Sequence, residues 1–361
     1  MTLGLLALGS ALAATLGGAD RYRRSFHPVE RARAGLSRLL DRGPDDPEVR
    51  ATLLALRRQL ARQPLDARTR VLYAGLLLEL AGNLDEARAA AFHASRAATL
   101  APVTVPVVRA AATVLARCGE QEEALTRVRE MFGYEPESAA HLLISLEPFL
   151  PPEALSRGAP EGAIPFQPAS WLAWSRELRS RGRTDESEEW TEEAHQRWPD
   201  HLPVRRALAA LAVGRQDWER LAEILPTQGK LPEEPSAAVL FAYRARLRAE
   251  TGSADEARAD AEKAASLARN DPSILLLVGD ALLASRDPDR ARHTWNRALF
   301  ALPGGDGHRP IRVLLGVRLA RLEDAHGMPA DALRAWKAVL EEDPEHTESR
   351  RRVDDLTGFH H

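Results

Sequence analysis

The stretch AGNLDEA, Ala81–Ala87, decides the reading of this chain. Its pattern is a Gly followed five places later by a small residue. The pattern returns as RCGEQEEA with Gly119 and Ala124, SRGRTDES with Gly182 and Ser187, ETGSADEA with Gly252 and Ala257, and AHGMPADA with Gly327 and Ala332. A period of about 34 residues is the mark of stacked helical hairpins rather than of one globular core. Gly admits the positive φ that ends a first helix and turns the chain back. The small residue lets the second helix approach the first closely.

With Gly at repeat position 15 and the small residue at 20, apolar or small residues are expected at 4, 7, 8, 11, 24 and 27, and Pro at 32. The window from Val105 supplies Val108, Ala111, Ala112, Leu115, Val128, Met131 and Pro136. The window from Pro168 has Trp171, Trp174, Leu178, Ala194 and Pro199. Windows from Pro272 (Leu275, Val278, Gly279, Leu282, Ala291, Trp295, Ala298, Pro303) and Val313 (Leu319, Ala320, Trp336, Val339, Pro344) agree as closely. The first window, from Arg68, has Gly75 but three extra residues before Pro102, and the fifth, from Ala238, delays its Pro to Pro272. The fourth, from Leu202, is degenerate: it keeps Leu208, Ala209 and Ala212 but has Leu221 where a small residue is wanted, and breaks early at Pro226.

On these residues the chain resembles the tetratricopeptide repeat (TPR) family over roughly residues 48–356. The resemblance implies an all-α, TPR-like α-solenoid, a right-handed superhelix of antiparallel helix pairs. About seven repeats, an irregular interruption and a C-terminal cap helix are expected. One hairpin cannot bury its apolar face alone, so the array needs closed ends. PEVRATLLALRRQLARQP, Pro47–Pro64, reads as an amphipathic helix closing one end. HTESRRRVDDL, His346–Leu356, is polar apart from Val353 and Leu356 and suits a cap at the other.

The organisation that follows is an apolar segment at 1–19, an Arg-rich linker at 20–46 and a first repeat block at 47–138. A Pro-rich joint at 139–167, a second block at 168–346, and a cap helix and tail at 347–361 complete it. The joint carries Pro151, Pro152, Pro160, Pro165 and Pro168 with Gly158 and Gly162, and lacks the Gly-to-small spacing. It reads as a decayed or remodelled hairpin with an irregular connector, a structural joint, with a peptide-gripping loop as the alternative.

Composition bounds the chemistry. The net charge of −3, from 49 basic and 52 acidic residues, gives no polyelectrolyte pull toward nucleic acid. Cys118 is the one cysteine, which excludes an internal disulfide and any cysteine-cluster metal site. The eleven His residues are scattered and none forms HExxH; no phosphate loop, GxSxG or dinucleotide fingerprint is present. The reading is therefore non-catalytic, with no cofactor and no metal.

From Leu3 to Gly18 the chain is uncharged and mostly apolar, and Arg21, Arg23 and Arg24 follow. As a helix those residues span roughly 24 Å, against a hydrocarbon core of about 30 Å. The working reading is an anchor in a bacterial inner membrane with cytoplasmic repeats, by the positive-inside rule. Alternatives are a signal peptide cleaved after Ala13, leaving a periplasmic protein, and a fragment of a longer membrane protein. Anchor, basic flank and repeat array together are similar in layout to membrane-anchored bacterial envelope-biogenesis TPR proteins, although the cysteine-rich metal module of those proteins is missing.

In the TPR family the first helices line the concave face, and the resemblance implies that repeat positions 2, 5, 6, 9, 12 and 13 point into it. Those columns hold Arg109, Arg117, Arg176, Arg179, Arg206, Arg246, Arg318 and Arg321. Arg grips carboxylates and phosphates bidentately. The expected role is a scaffold at the cell envelope holding a protein or peptide partner, an acidic one by this charge, with an anionic glycan or lipid headgroup as the other ligand class. The alternative function is the repeat tail of a polysaccharide polymerase or ligase, or an exported periplasmic repeat protein binding glycan or export components.

Overall fold

Short acidic and amide side chains begin many of the helices by accepting the otherwise orphaned amides of the first turn. Asp66 accepts from Arg68 and Thr69, Asp217 from Arg220, Asp271 from Ser273 and Ile274, and Asp287 from Arg290. The helices that result fill a computed structural model, which describes residues 46–155, 162–225 and 231–358. The chain divides into two compact units, with the division after Ala194, near the end of the last helix counted in the first unit.

The first unit runs α1 (Pro47–Arg62), α2 (Ala67–Leu80), α3 (Leu84–Leu100), α4 (Val105–Arg117), α5 (Gln121–Phe132) and α6 (Pro136–Leu146), then two 3-10 turns, α7 (Pro168–Ser180) and α8 (Thr184–Arg197). In the second unit come α9 (Leu202–Arg215), α10 (Trp218–Ile224), α11 (Ala238–Glu250), α12 (Ala254–Leu267), α13 (Pro272–Ala284) and α14 (Pro288–Ala301). They are followed by α15 (Arg309–Ala325), α16 (Pro329–Glu342) and α17 (Thr347–Gly358). Consecutive helices pack as pairs, and the first helices of neighbouring pairs also touch: α2 with α4, α4 with α6, α11 with α13, α13 with α15. No strand occurs among the described residues. The fold is an all-α, TPR-like solenoid.

The helix α6 begins at Pro136 and buries Ala139, Ala140, Leu142, Leu143 and Leu146. Regular helix therefore occupies the start of the segment read as an irregular joint. Beyond it, Ala163 donates to the Ala154 carbonyl at 2.9 Å and Arg129 Nε to the Gly162 carbonyl at 3.0 Å. The inner-membrane localisation is corrected: among the described residues no helix is long and apolar enough to cross a membrane. The segment on which it rested, residues 3–18, lies outside the described residues, as do the Arg-rich linker up to residue 45 and residues 359–361.

The turn column behaves as the repeat demands, with two substitutions of means. Gly119, Gly182, Gly252 and Gly327 take φ of 88°, 77°, 91° and 66°. Gln216 and Arg286 stand in the same column of their repeats and adopt φ of 58° and 61° without being Gly. Gly82, within AGNLDEA itself, is not left-handed. There the turn is held by a reciprocal cap, Asn83 accepting from the Glu86 amide at 3.0 Å while Glu86 Oε2 accepts from the Gly82 amide at 2.7 Å.

Inside each hairpin, positions 8, 20 and 24 set how near the two helices come. In the repeat from Pro272 they are Gly279, Ala291 and Trp295. The Trp295 ring lies flat on the glycine: a Cβ on Gly279 would stand 2.2 Å from Trp295 Nε1, which donates to the Leu276 carbonyl at 3.2 Å. Fully burying such a ring contributes about 4 kcal/mol as an upper estimate. In the repeat from Pro168 the same three columns hold Ser175, Ser187 and Thr191, all buried. They satisfy one another, with Ser175 Oγ 2.9 Å from Ser187 Oγ and 2.7 Å from Thr191 Oγ1. In the repeat from Ala238 the columns are all Ala, and the hairpin closes on a buried ion pair beside them. Arg244 donates to Asp260 through Nε and Nη2 at 2.7 and 2.8 Å, and Arg248 Nη1 joins at 2.8 Å.

Two outcomes test this packing in urea unfolding. Gly279→Ala, which in an open helix would stabilise by about 1 kcal/mol, is expected here to destabilise by about 1–3 kcal/mol because Trp295 must leave its seat. In the turn column, Gly182→Ala, where a Cβ would meet nothing within 4 Å, should cost about 1 kcal/mol from backbone strain alone, and Arg286→Gly should gain a fraction of that.

Candidate functional site

Several arginines of this molecule meet an acid on a neighbouring hairpin. Arg117 on α4 pairs with Glu79 on α2, and Arg176 on α7 with Glu137 on α6. Arg318 on α15 grips Asp280 on α13 bidentately, Nε to Oδ1 at 2.8 Å and Nη2 to Oδ2 at 3.3 Å. Arg321, one helical turn on, grips Glu348 on α17 in the same way at 2.9 and 2.5 Å. Arg246 on α11 donates to the Asp280 main-chain carbonyl at 2.9 Å and pairs with Glu250 at 2.6 Å, its guanidinium 5.7 Å above the Trp218 ring. Five of the eight arginines read from the sequence are thus held by carboxylates of the chain itself. The other three, Arg109, Arg179 and Arg206, have no ion-pair partner among the described residues; Arg179 reaches only the Ser187 hydroxyl, at 3.4 Å.

Three of the eight come together. Arg246, Arg318 and Arg321 border a cleft of about 480 Å³ in the second unit. Its apolar surface comes from Val213 on α9, Trp218 on α10, Ala242 and Tyr243 on α11, Leu277 and Leu283 on α13, and Leu322 and Ala325 on α15. Gln216, Asp280 and His326 complete the lining. First helices thus supply most of it. Gln216 lies there because it occupies the left-handed turn column, so the turn geometry places a polar side chain at the mouth. Arg206 stands near enough to Tyr243 to oppose the upward shift that burial imposes on the Tyr243 hydroxyl. Arg109, Arg117, Arg176 and Arg179 belong to the first unit.

The lining carries three guanidiniums around a floor of Leu, Ala and aromatic carbon, and each guanidinium is paired with a carboxylate of the chain: Arg246 with Glu250, Arg318 with Asp280 and Arg321 with Glu348. Among the described residues there is no group of three or more His, Cys, Asp and Glu that could hold a metal ion. Cys118 is half-buried, and desolvation raises its thiol, which makes it a poorer nucleophile.

The acids that hold these arginines were missed by a reading that followed only the positive columns. They were visible: Glu79, Glu137 and Asp280 stand in the exposed columns of the preceding first helix or in α6. The cleft's aromatic wall was harder to see, since Trp218 comes from the degenerate fourth repeat.

No family model matches the sequence, and no curated protein does. Among solved structures the chain is similar to a thermophilic TPR protein of Thermus thermophilus, at 18% identity and a TM-score of 0.42, covering 53% of this chain and 99% of that one. It is also similar to the Cut9–Hcn1 hetero-tetramer of the APC/C (10% identity, TM-score 0.44, 98% of this chain and 69% of that one) and to pilF of Pseudomonas aeruginosa (14%, 0.38, 71% and 99%). The helix pairs and the left-handed turn column, rather than these likenesses, make the fold TPR-like.

The Arg321–Glu348 pair sets a pH dependence. The hydrogen bonds from Arg321 hold the Glu348 carboxyl below the usual carboxylate range. A depressed carboxylate stabilises the folded state fully above its ordinary value near 4.5 and loses that contribution as the pH falls through the folded value. Amide exchange in α17 is therefore expected to stay level relative to α15 from pH 6 down to about 4.5, and to accelerate modestly as the pH falls below that through the lowered Glu348 value, after correction for intrinsic exchange. Glu348→Gln should flatten that dependence.

Proposed function

We propose that the chain is a protein-interaction module whose second unit takes a peptide segment of a partner into the cleft between α9, α11, α13 and α15. The observation that carries this reading is the composition of the cleft wall: apolar and aromatic surface from several repeats, bordered by three arginines and one aspartate. A segment with one large apolar side chain flanked by carboxylates fits both parts. The apolar side chain fills the floor over Leu277 and Leu283, and the carboxylates meet guanidiniums already positioned by packing. Of the ligand classes expected from the sequence, the acidic peptide uses the whole lining, whereas a glycan or lipid headgroup leaves the apolar floor idle.

The scaffold role follows from the fold's geometry. Within the second unit the first helices of neighbouring hairpins touch, so a partner bound across several of them would rigidify them together at small cost. Arg109, Arg179 and Arg206, without ion-pair partners among the described residues, remain candidates for further contacts with an acidic partner.

A fixed array of peptides, each with a central Leu or Phe flanked on both sides by Glu, Gln or Lys, tests this on the full chain. Retention is expected in the order Glu above Gln above Lys, and Leu283→Asp should reduce retention of all apolar-centred peptides by about tenfold through lost burial. Equal retention of all three series, or retention unchanged by Leu283→Asp, would remove the cleft as the binding site.

A further inference from the structure

Arg321 borders the cleft and already holds a carboxylate, and that carboxylate comes from the terminal helix. Glu348 lies in the first turn of α17 and takes both Nε and Nη2 of Arg321, satisfying the guanidinium edge that a partner's acid would use. Asp280 holds Arg318 in a comparable way, but from within the lining itself. Glu348 is different because it reaches Arg321 from outside the cleft wall.

The rest of α17 is secured independently of that contact. Val353 and Leu356 pack against the cluster of Val317, Ala320, Ala332, Trp336 and Val339. Arg352 donates to Asp324 at 3.0 Å, and Asp324 also accepts from Trp336 Nε1 at 2.9 Å. Burial therefore seats the helix and the Arg352–Asp324 pair fixes its register. The Arg321–Glu348 pair is half-exposed, and such pairs contribute little to stability. Helix placement does not require Glu348 on Arg321, yet its position there controls what else Arg321 can bind.

We propose that Glu348 acts as an internal competitor for the partner's carboxylate: the terminal helix keeps Arg321 occupied, and an acidic peptide entering the cleft displaces Glu348 from it while α17 stays docked through Val353, Leu356 and Arg352. This rests on the peptide-binding reading above and adds to it the group that must be displaced. It also names the side chain that sets the threshold. Only a segment with an acid in register with Arg321 gains from the exchange, so the competition sharpens selection for acidic over neutral segments.

The test uses the full chain and two soluble peptides of one sequence pattern, a central Phe flanked by Glu or by Gln, titrated by calorimetry. Glu348→Gln is expected to tighten binding of the Glu peptide about threefold, the size of an exposed ion pair released from competition, and to leave the Gln peptide unchanged. Adding Arg321→Gln to Glu348→Gln should cancel that gain. Circular dichroism melting and amide exchange in α17 report whether the helix stays docked in each variant. If it undocks in Glu348→Gln, then Glu348→Asp, whose shorter side chain weakens the grip while keeping the charge, replaces it with the same expected direction. Equal affinity of wild type and variant for the Glu peptide with α17 docked overturns the competition while leaving the cleft as a binding site. Failure of the wild-type protein to bind either peptide counts against the peptide-binding reading itself, and the competition falls with it.

Discussion

The close approach of two helices within each hairpin is the constraint on which the rest depends. A first helix carries a small residue where the second lays its largest one, and the turn between them must be tight enough to bring those positions level. Where Gly279 meets Trp295, the contact leaves no room for a methyl group. Where Ser175 meets Ser187 and Thr191, hydroxyls replace shape with hydrogen bonds, which is acceptable in a buried layer because each donor is satisfied. Where Ala245, Ala257 and Ala261 leave little to interlock, Arg244, Arg248 and Asp260 supply a buried ionic contact that helps fix the pairing. Three kinds of interaction thus solve one geometric problem.

Once each hairpin is closed, its outward columns are placed by the next. Arginine and acid then meet across hairpins: Arg117, Arg176 and Arg318 each reach back to an acid 38 or 39 residues earlier, and Arg321 reaches forward to Glu348 in the terminal helix. These pairs are mostly half-exposed, so their value lies less in stability than in orientation: a guanidinium held on one edge presents its remaining donors in a set direction. The cleft of the second unit is where that orientation coincides with uncovered apolar surface. Its residues come from hairpins distant in sequence and are brought together only because the hairpins stack.

Much of the fold was legible in the sequence because the repeat constrains backbone and packing at once. Gly119, Gly182, Gly252 and Gly327 announced left-handed turns and made them; Gln216 and Arg286 made the same turns unannounced, since a few surrounding contacts can hold a non-Gly residue there at modest cost. The helix α6 lies in the apolar run that precedes the prolines of the joint, where Ala and Leu recur at helical spacing. The arginine columns could be read directly, but the neutralising acids belong to the relation between repeats, not to any one of them. The cleft's wall was illegible for a further reason: Trp218 and Gln216 sit in the repeat least like the pattern, where counting positions gives the weakest guidance.

The central claim is that an acidic, apolar-centred segment binds across the first helices of the second unit. Amide hydrogen exchange of the full chain, with and without a Phe-centred peptide flanked by Glu, tests it most directly. Added protection is expected to concentrate in α11, α13 and α15 and at the Gln216 turn, with α3, α5 and α8 unchanged. Protection confined to those second helices, or spread evenly over both units, would contradict it.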